Sequence, residues 1–161
     1  MQKITPFIWF EDQAEAAVKL YTSLIENSKI GRISRYDAAG AKGSGRPEGT
    51  VMTVSFQLAG QEFTALNGGP GVVTGNGPIS FVVNCETQDE VDELWDKLSE
   101  GGKQIQCGWL VDKYGVTWQI VPTILIELLA SQDKAKASRV MAAMLKMKKL
   151  DIDGLKKAAE E

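Results

Sequence analysis

Few residues in this chain could do chemistry. Histidine is absent, which removes the usual base near neutral pH and the commonest nitrogen ligand for metals. His-based triads, His-rich zinc sites and HExxH metallopeptidase sites are excluded with it. The only cysteines are Cys85 and Cys107. Cys107 invites a nucleophile reading, but a reactive thiol needs a lowered pKa or a neighbouring base, and the spacing pairs it with neither. Cys85 reads as a small buried apolar residue. Asp112, in Asp112-Lys113-Tyr114-Gly115, reads first as a side chain bonding its own turn. Asp12 and Glu86 precede helix-like stretches and read as caps. No two carboxylates are spaced as an acid–base pair.

The remaining polar candidates are amides and hydroxyls on strand-like stretches. Alternate residues of a strand point to opposite faces, so Val116, Trp118 and Ile120 share one side of Val116–Val121, and Thr117, Gln119 and Val121 the other. The first set is expected to pack against helices. Gln119 either meets a ligand carbonyl or amine or satisfies a buried backbone group, and alternation does not choose between them. Pro6, Ile8 and Phe10 share a face, as do Thr64 and Leu66, and Ser80, Val82 and Asn84. Trp109, beside Cys107-Gly108, is the best aromatic candidate for ligand contact, with Trp9 as another. Tyr21 and Trp95 fall on helical stripes and read as core. The candidate ligand-binding set is therefore Ile8, Phe10, Thr64, Ser80, Val82, Asn84, Trp109 and Gln119. Mostly apolar with a few neutral polar groups, it suits a small organic molecule. Zn²⁺ would want Cys, His or carboxylate, and Mg²⁺ carboxylates and water, so no metal site is assigned.

These residues must be positioned by a repeat. Residues 5–24 and 79–98 align without a gap at an offset of 74, which sets Ile8 against Val82 and Asp12 against Glu86. It also sets Ala17, Leu20, Tyr21 and Leu24 against Val91, Leu94, Trp95 and Leu98. Each copy is a strand followed by a helix whose i, i+3, i+4, i+7 stripe is expected to bury against the sheet. Hairpins follow both copies: Thr50–Leu58 with Glu62–Leu66 around Ala59-Gly60, and Gly108–Val111 with Val116–Val121 around Asp112–Gly115. Gly60 and Gly115 sit where a positive φ would be cheap. Ile30–Tyr36 and Ile105–Cys107 supply one more strand each.

The organisation read from this is a single domain, 1–161, with a first module at 3–67, a second at 78–122 and a C-terminal helical extension at 130–158. The fold class is α+β, two βαβββ modules enclosing a groove. Ala38–Gly49 reads as a flexible loop. Gly68–Gly77 reads as a mobile connection, and it lacks the GKS or GKT ending of a phosphate loop. In the extension, Ser131 can cap a helix carried from Lys134 onward, with Val140, Met144 and Leu145 on its apolar stripe. A second short helix is expected near Asp153, with Leu155 facing inward.

The charge balance is 18 basic to 21 acidic residues, net -3. Without a concentrated basic face, no nucleic-acid partner is expected. No apolar run approaches the roughly 20 residues that span a bilayer, and the start does not read as a leader, so no membrane partner is expected. Two cysteines do not make a disulfide scaffold, and a cytoplasmic location is the simpler expectation.

The segments TPFIWFEDQAEAAVKLYTSL, ALNGGP, QCGWLVDKYGVTWQIVP and RVMAAMLKMKKLDIDGLKKA together resemble the PhnB-like proteins of the vicinal-oxygen-chelate (glyoxalase/bleomycin-resistance) superfamily. The closest branch is the one labelled 3-demethylubiquinone-9 3-methyltransferase-like. The resemblance implies a glyoxalase-like curved sheet of paired modules and commonly a homodimer. Its metal-ligand positions fall on Pro6, Ser80 and Gln119, with the fourth near Thr64. Proline has no side-chain donor, and the others are weak neutral donors. The function expected is therefore that of a PhnB-like small-molecule-binding protein. The alternatives are a metal- or cofactor-dependent enzyme on a small aromatic or dicarbonyl metabolite, or a structural dimer without a specific ligand. No cofactor is assigned.

Overall fold

The computed structural model describes residues 1–71, 77–113 and 115–161. They divide into two units, Ile4–Ser80 with Gln2, and Phe81–Glu161 with Met1 and Lys3. The expected Gly68–Gly77 connection lies partly outside the described residues, as does Tyr114 of the second turn.

The first unit contains β1 (Ile4–Phe10), α1 (Ala14–Leu24), β2 (Lys29–Arg35), α2 (Ala38–Ser44), β3 (Val51–Leu58) and β4 (Gln61–Asn67). Its strand order is β2-β3-β4-β1. β3 and β4 form the expected hairpin, turning through Ala59 at φ 50° and Gly60 at φ 80°. Two consecutive left-handed residues match the twist of the flanking strands. β1 lies parallel to β4. Helix α1 buries Ala14 and Val18 against Val54, Phe56 and Ala65, with Ile8, Phe10, Tyr21 and Phe63 packed around them.

Two expectations fail here. The buried stripe of α1 is Ala14, Val18 and Tyr21, not Ala17, Leu20, Tyr21 and Leu24: Leu20 is 55% and Leu24 73% exposed. The N-terminus of the helix is capped from a distant strand. Asn67 Oδ1, at the end of β4, accepts from Ala14 N at 2.8 Å, and its Nδ2 donates to Glu15 Oε2 at 2.9 Å. The apolar residues at i, i+4 and i+7 set the side that meets the sheet, and the N-cap residue Gln13 makes no side-chain cap bond. The stretch expected as a flexible loop from Ala38 instead opens with α2. Asp37 caps it by accepting from Gly40 N, and Gly45 at φ 73° ends it, the N-cap and C-cap chemistry that stabilises even a short helix.

In the second unit, β5 (Ile79–Cys85, whose first two residues belong to the first unit) is followed by α3 (Gln88–Ser99), β6 (Lys103–Gln104), β7 (Trp109–Val111) and β8 (Thr117–Pro122). The strand order is β5-β8-β7-β6, with β5 parallel and β7 antiparallel to β8. Val91 and Trp95 of α3 pack on Val83, Cys85, Leu110 and Ile120, with Leu94, Leu98 and Trp118 at the margin. Thr87, one residue past the expected Glu86, caps α3 by accepting from Glu90 N at 3.2 Å. Asp112 holds its turn as expected: Oδ1 accepts from Val116 N and Oδ2 from Trp118 Nε1, both at 3.0 Å.

The curved, glyoxalase-like sheet is not formed. The strands run in open orders that end at β2 and at β6, and among the described residues no pairing returns an end strand to close the sheet. The end strands cannot carry such a curl. β6 and β7 have 2 and 3 residues, and the β2 ladder is broken by register shifts between Ile30 and Ile33 and between Ser34 and Arg35. Short or irregular strands of this kind terminate pairing rather than extend it.

The extension begins earlier than expected, with α4 (Thr123–Leu129) following β8 directly, then α5 (Lys134–Leu145) and α6 (Ile152–Glu160). Asp133 and Asp151, rather than Ser131, cap α5 and α6. Leu125, Val140, Leu150, Leu155 and Ala159 form its core, against which Val121, Met144 and Met147 pack. The Gln88 amide bonds Leu150 O and Ile152 N, and Lys149 pairs with Asp92 at 2.7 Å, fastening the extension to α3. Among the described residues no helix is long and apolar enough to cross a membrane.

Candidate functional site

The two faces of the second unit's sheet differ in chemistry. Val83, Cys85, Leu110, Trp118 and Ile120 face α3, and Phe81 tilts against Trp118 with ring centroids 5.5 Å apart. Their strand neighbours therefore point the other way. Register places Val82 beside Gln119 and Gln119 beside Trp109, making one row across β5, β8 and β7. Asn84 lies beside Val121, and Val111 beside Thr117. Val82, Asn84, Thr117 and Gln119 are buried, whereas Trp109 is half-buried. Val121 packs into the core of the extension, which thus borders this face. Asn84 is held by Lys3 on both backbone groups: its N–H donates to Lys3 O at 3.0 Å and its carbonyl accepts from Lys3 Nζ at 2.7 Å.

Four predicted contacts, Val82, Asn84, Trp109 and Gln119, thus share one face. Each carboxamide offers two donors and an acceptor, and the indole offers a flat apolar surface. None of these side chains titrates near neutrality. Groups of this kind recognise and orient a molecule by hydrogen bonding and apolar contact. Thr117, which the sequence put on this side without counting it as a contact, supplies a hydroxyl.

The first unit places its predicted contacts less simply. Ile8 and Phe10 pack in the α1 core, and Ile8 registers with Ala65 and Ala65 with Val54. Thr64 registers with Phe7 and Ser55, so it lies on the opposite face from Ile8 and Phe10. The gapless repeat alignment is at fault. It equates Ile8 with Val82, yet Ile8 faces its helix and Val82 faces away from its own, and a slip of one residue flips every side chain of a strand. Ser80 is buried at the start of β5 and shares its alternation with Val82. On the Thr64 face, Trp9 Nε1 donates to Gly69 O at 2.9 Å, and the indole covers Gly68 so closely that a Cβ there would collide with the ring. Buried Tyr36 donates its hydroxyl to Asn67 O at 2.8 Å. The ALNGGP segment is thus a structural hub, a role its composition did not announce. A groove of about 200 Å³ lies on the α1 side between α1 and β2, lined by Glu15, Lys19, Ile30, Ile33 and Arg35 among others, and includes none of the predicted contacts.

Neither cysteine suits nucleophilic chemistry. Burial, reinforced by nearby Glu90, pushes the Cys85 thiol up to about 11, and burial also raises Cys107. Both shifts deplete the thiolate. The divalent metal implied by the superfamily does not fit. Pro6, Thr64, Ser80 and Gln119 offer no imidazole, thiolate or carboxylate, and among the described residues no three His, Cys, Asp or Glu side chains are grouped to hold an ion. A methyl donor fits no better on the Gln119 face, which has no carboxylate for ribose hydroxyls. The nearby Asp112 spends both oxygens on its turn and Trp118.

The repeated strand–helix unit is the architecture of a vicinal-oxygen-chelate protein, and the superfamily's metal-ligand positions here carry Pro6, Thr64, Ser80 and Gln119. The chain belongs to the 3-demethylubiquinone-9 3-methyltransferase family, whose model matches residues 2–121, the PhnB-like branch of that superfamily. A protein of known structure from Staphylococcus aureus is 33% identical over 74% of this chain and 95% of its own, with a TM-score of 0.58. A PhnB protein from Bacillus cereus is 39% identical over 76% of this chain and 100% of its own, with a TM-score of 0.38. PA1353 from Pseudomonas aeruginosa is 18% identical over 76% and 98%, with a TM-score of 0.35. The comparison with curated proteins found no match. The family match ends at residue 121, so α4, α5 and α6 lie beyond it. Within this family the chain is a PhnB-like small-molecule-binding protein.

Proposed function

We propose that the chain binds a small, uncharged organic molecule against the Val82–Gln119–Trp109 row. Gln119 is the polar anchor, with Asn84 and Thr117 beside it, and Trp109 is the flat apolar wall. The observation that carries this reading is the register that aligns an aliphatic side chain, a carboxamide and an indole on the side turned away from α3. A ligand carbonyl or amine would bond the carboxamide, and a hydrogen bond to a neutral group contributes about 0.5–1.5 kcal/mol net. The test is a metabolite screen by ligand-detected NMR on wild-type and Gln119→Leu protein of equal thermal stability. Saturable binding lost in the variant supports the reading. Binding unchanged in the variant removes Gln119 from the site.

The proposed protein partner is a second copy of the chain. Leu20, Leu24, Ile25, Ile30 and Ile33 are exposed on α1, the turn after it and β2. Lys29, Arg32 and Arg35 stand exposed on β2, and Glu11 and Asp12 stand exposed before α1. No ion pair among the described residues uses any of these charges. A two-fold contact can set one copy's acids against the other's bases around an apolar centre. Light scattering is expected to give a dimer that Ile33→Glu dissociates, and a monomeric wild-type protein would end the proposal. The proposed location is the cytoplasm, in keeping with two unbridged cysteines.

A further inference from the structure

The first unit contains one cationic group whose donor is buried without use. Arg46 follows α2, and its aliphatic stem crosses Gly69, with Cδ 3.3 Å from where a Gly69 side chain would begin. Gly69 is the residue whose carbonyl holds the Trp9 indole. The Arg46 Nε is buried and meets no hydrogen-bond acceptor, and no ion pair among the described residues includes its guanidinium. The other arginines that bond through the guanidinium use backbone carbonyls: Arg35 reaches Gly49 O, and Arg139 reaches Ala158 O and Ala159 O. The Arg46 charge is felt nearby. Burial raises the Tyr36 phenol above its ordinary value, and Ser44 and Arg46 oppose that rise.

A buried, unsatisfied donor on a charged group is costly. The cost disappears when an anion supplies the acceptor. Nε and one outer nitrogen of a guanidinium form a planar fork that matches the two oxygens of a carboxylate. Arg46 as a whole is only partly buried, and an anion that reaches Nε displaces the atoms that cover it. Phe7 and Trp9 share the strand face of Thr64 and Leu66, turned away from α1, and Trp9 is fixed through Gly69 beside the arginine stem. An aromatic body next to the fork would find an apolar neighbour there.

We propose that Arg46 anchors an anion subsite in the first unit that takes the carboxylate of a small aromatic acid through Nε and an outer nitrogen. The subsite goes beyond the Gln119 face and does not depend on it, since the two lie in different units. The test follows the arginine Nε–Hε NMR signals, of which the chain has four, from Arg32, Arg35, Arg46 and Arg139. Sodium benzoate is the probe, with benzyl alcohol as the uncharged control and inorganic phosphate as the alternative oxyanion. Benzoate is expected to shift the Arg46 signal saturably and leave the other three in place. Benzyl alcohol and phosphate are expected to bind at least tenfold more weakly. Arg46→Gln should weaken benzoate at least tenfold, and Arg46→Lys, which keeps stem and charge but loses the fork, should fall between. Gln119→Leu should change nothing, which separates this proposal from the Gln119 reading. An unmoved Arg46 signal, a parallel shift of all four arginines, or phosphate binding as tightly as benzoate would overturn it.

Discussion

Replacing Asn67 with alanine tests how the first unit is held together. The Asn67 side chain makes three hydrogen bonds: Oδ1 accepts from Ala14 N at 2.8 Å, and Nδ2 donates to Glu15 Oε2 at 2.9 Å and to Val51 O at 3.3 Å. Truncation removes the cap of α1, worth about 1 kcal/mol for a typical N-cap. It also strands the Val51 carbonyl in a buried setting, at about 1–3 kcal/mol for an unsatisfied group. The expected loss is therefore roughly 2–4 kcal/mol, with the long Val51 contact placing it toward the lower end. Urea unfolding gives the total, and amide hydrogen exchange along α1 localises it, since the first turn should lose protection before β3 does. Asn67→Asp adds a sign test. It keeps an acceptor for Ala14 N but sets a second carboxylate against Glu15. Two facing carboxylates raise each other's pKa in the folded state, so the variant should be destabilised at pH 7 and recover as pH falls through that raised range. An Asn67→Ala protein within about 0.5 kcal/mol of wild type, the range of a neutral surface change, would refute the reasoning, as would Asn67→Asp with no pH dependence of its own.

The position of the α1 stripe predicts that Val18→Ala, at a fully buried site, costs about 2 kcal/mol by loss of two carbons and the cavity left behind. Leu24→Ser should stay within about 0.5 kcal/mol in dilute monomeric protein; thermal unfolding of both variants checks the contrast. Iodoacetamide at pH 7.5 is expected to leave Cys85 unmodified in folded protein and to alkylate it in urea, since the native thiol is buried and pushed up to about 11; peptide mass spectrometry reads the site. Lys3 holds the Glu90 carboxyl below its ordinary value and Lys149 does the same for Asp92. A depressed carboxylate contributes stability above its unfolded pKa and loses it as pH falls through the folded one. Stability should therefore decline below about pH 4.5, and Lys3→Met with Lys149→Met should flatten that decline in acid titrations followed by circular dichroism. Both pairs are partly solvent-exposed, so 0.5 M salt should blunt the effect.

Much of the molecule was legible in the sequence because its signals are local. The Ala59-Gly60 turn, the Asp112 side chain closing its own turn, the burial of Trp95 and Cys85, and the opposed faces of Trp118 and Gln119 each depend on residues within one or two elements. The chemistry excluded by the missing histidine was equally plain. What misled was the alignment of the repeat. It conserved hydrophobicity along the chain, but sheet geometry needs parity, and one residue of slip put Ile8 and Phe10 in the α1 core rather than beside Thr64.

Composition and alternation by themselves determined that this chain pairs strands with amphipathic helices and needs caps and glycine turns at particular places. Only tertiary structure decided that Asn67, far along the chain from α1, caps that helix. It also decided that the sheet stays open where β6 and β7 run out, and that Arg46 is left with a buried donor and no acceptor. The physical reason is range. Propensity and periodicity report on neighbours along the chain, whereas hydrogen-bond satisfaction and strand register are settled between segments that meet only after folding.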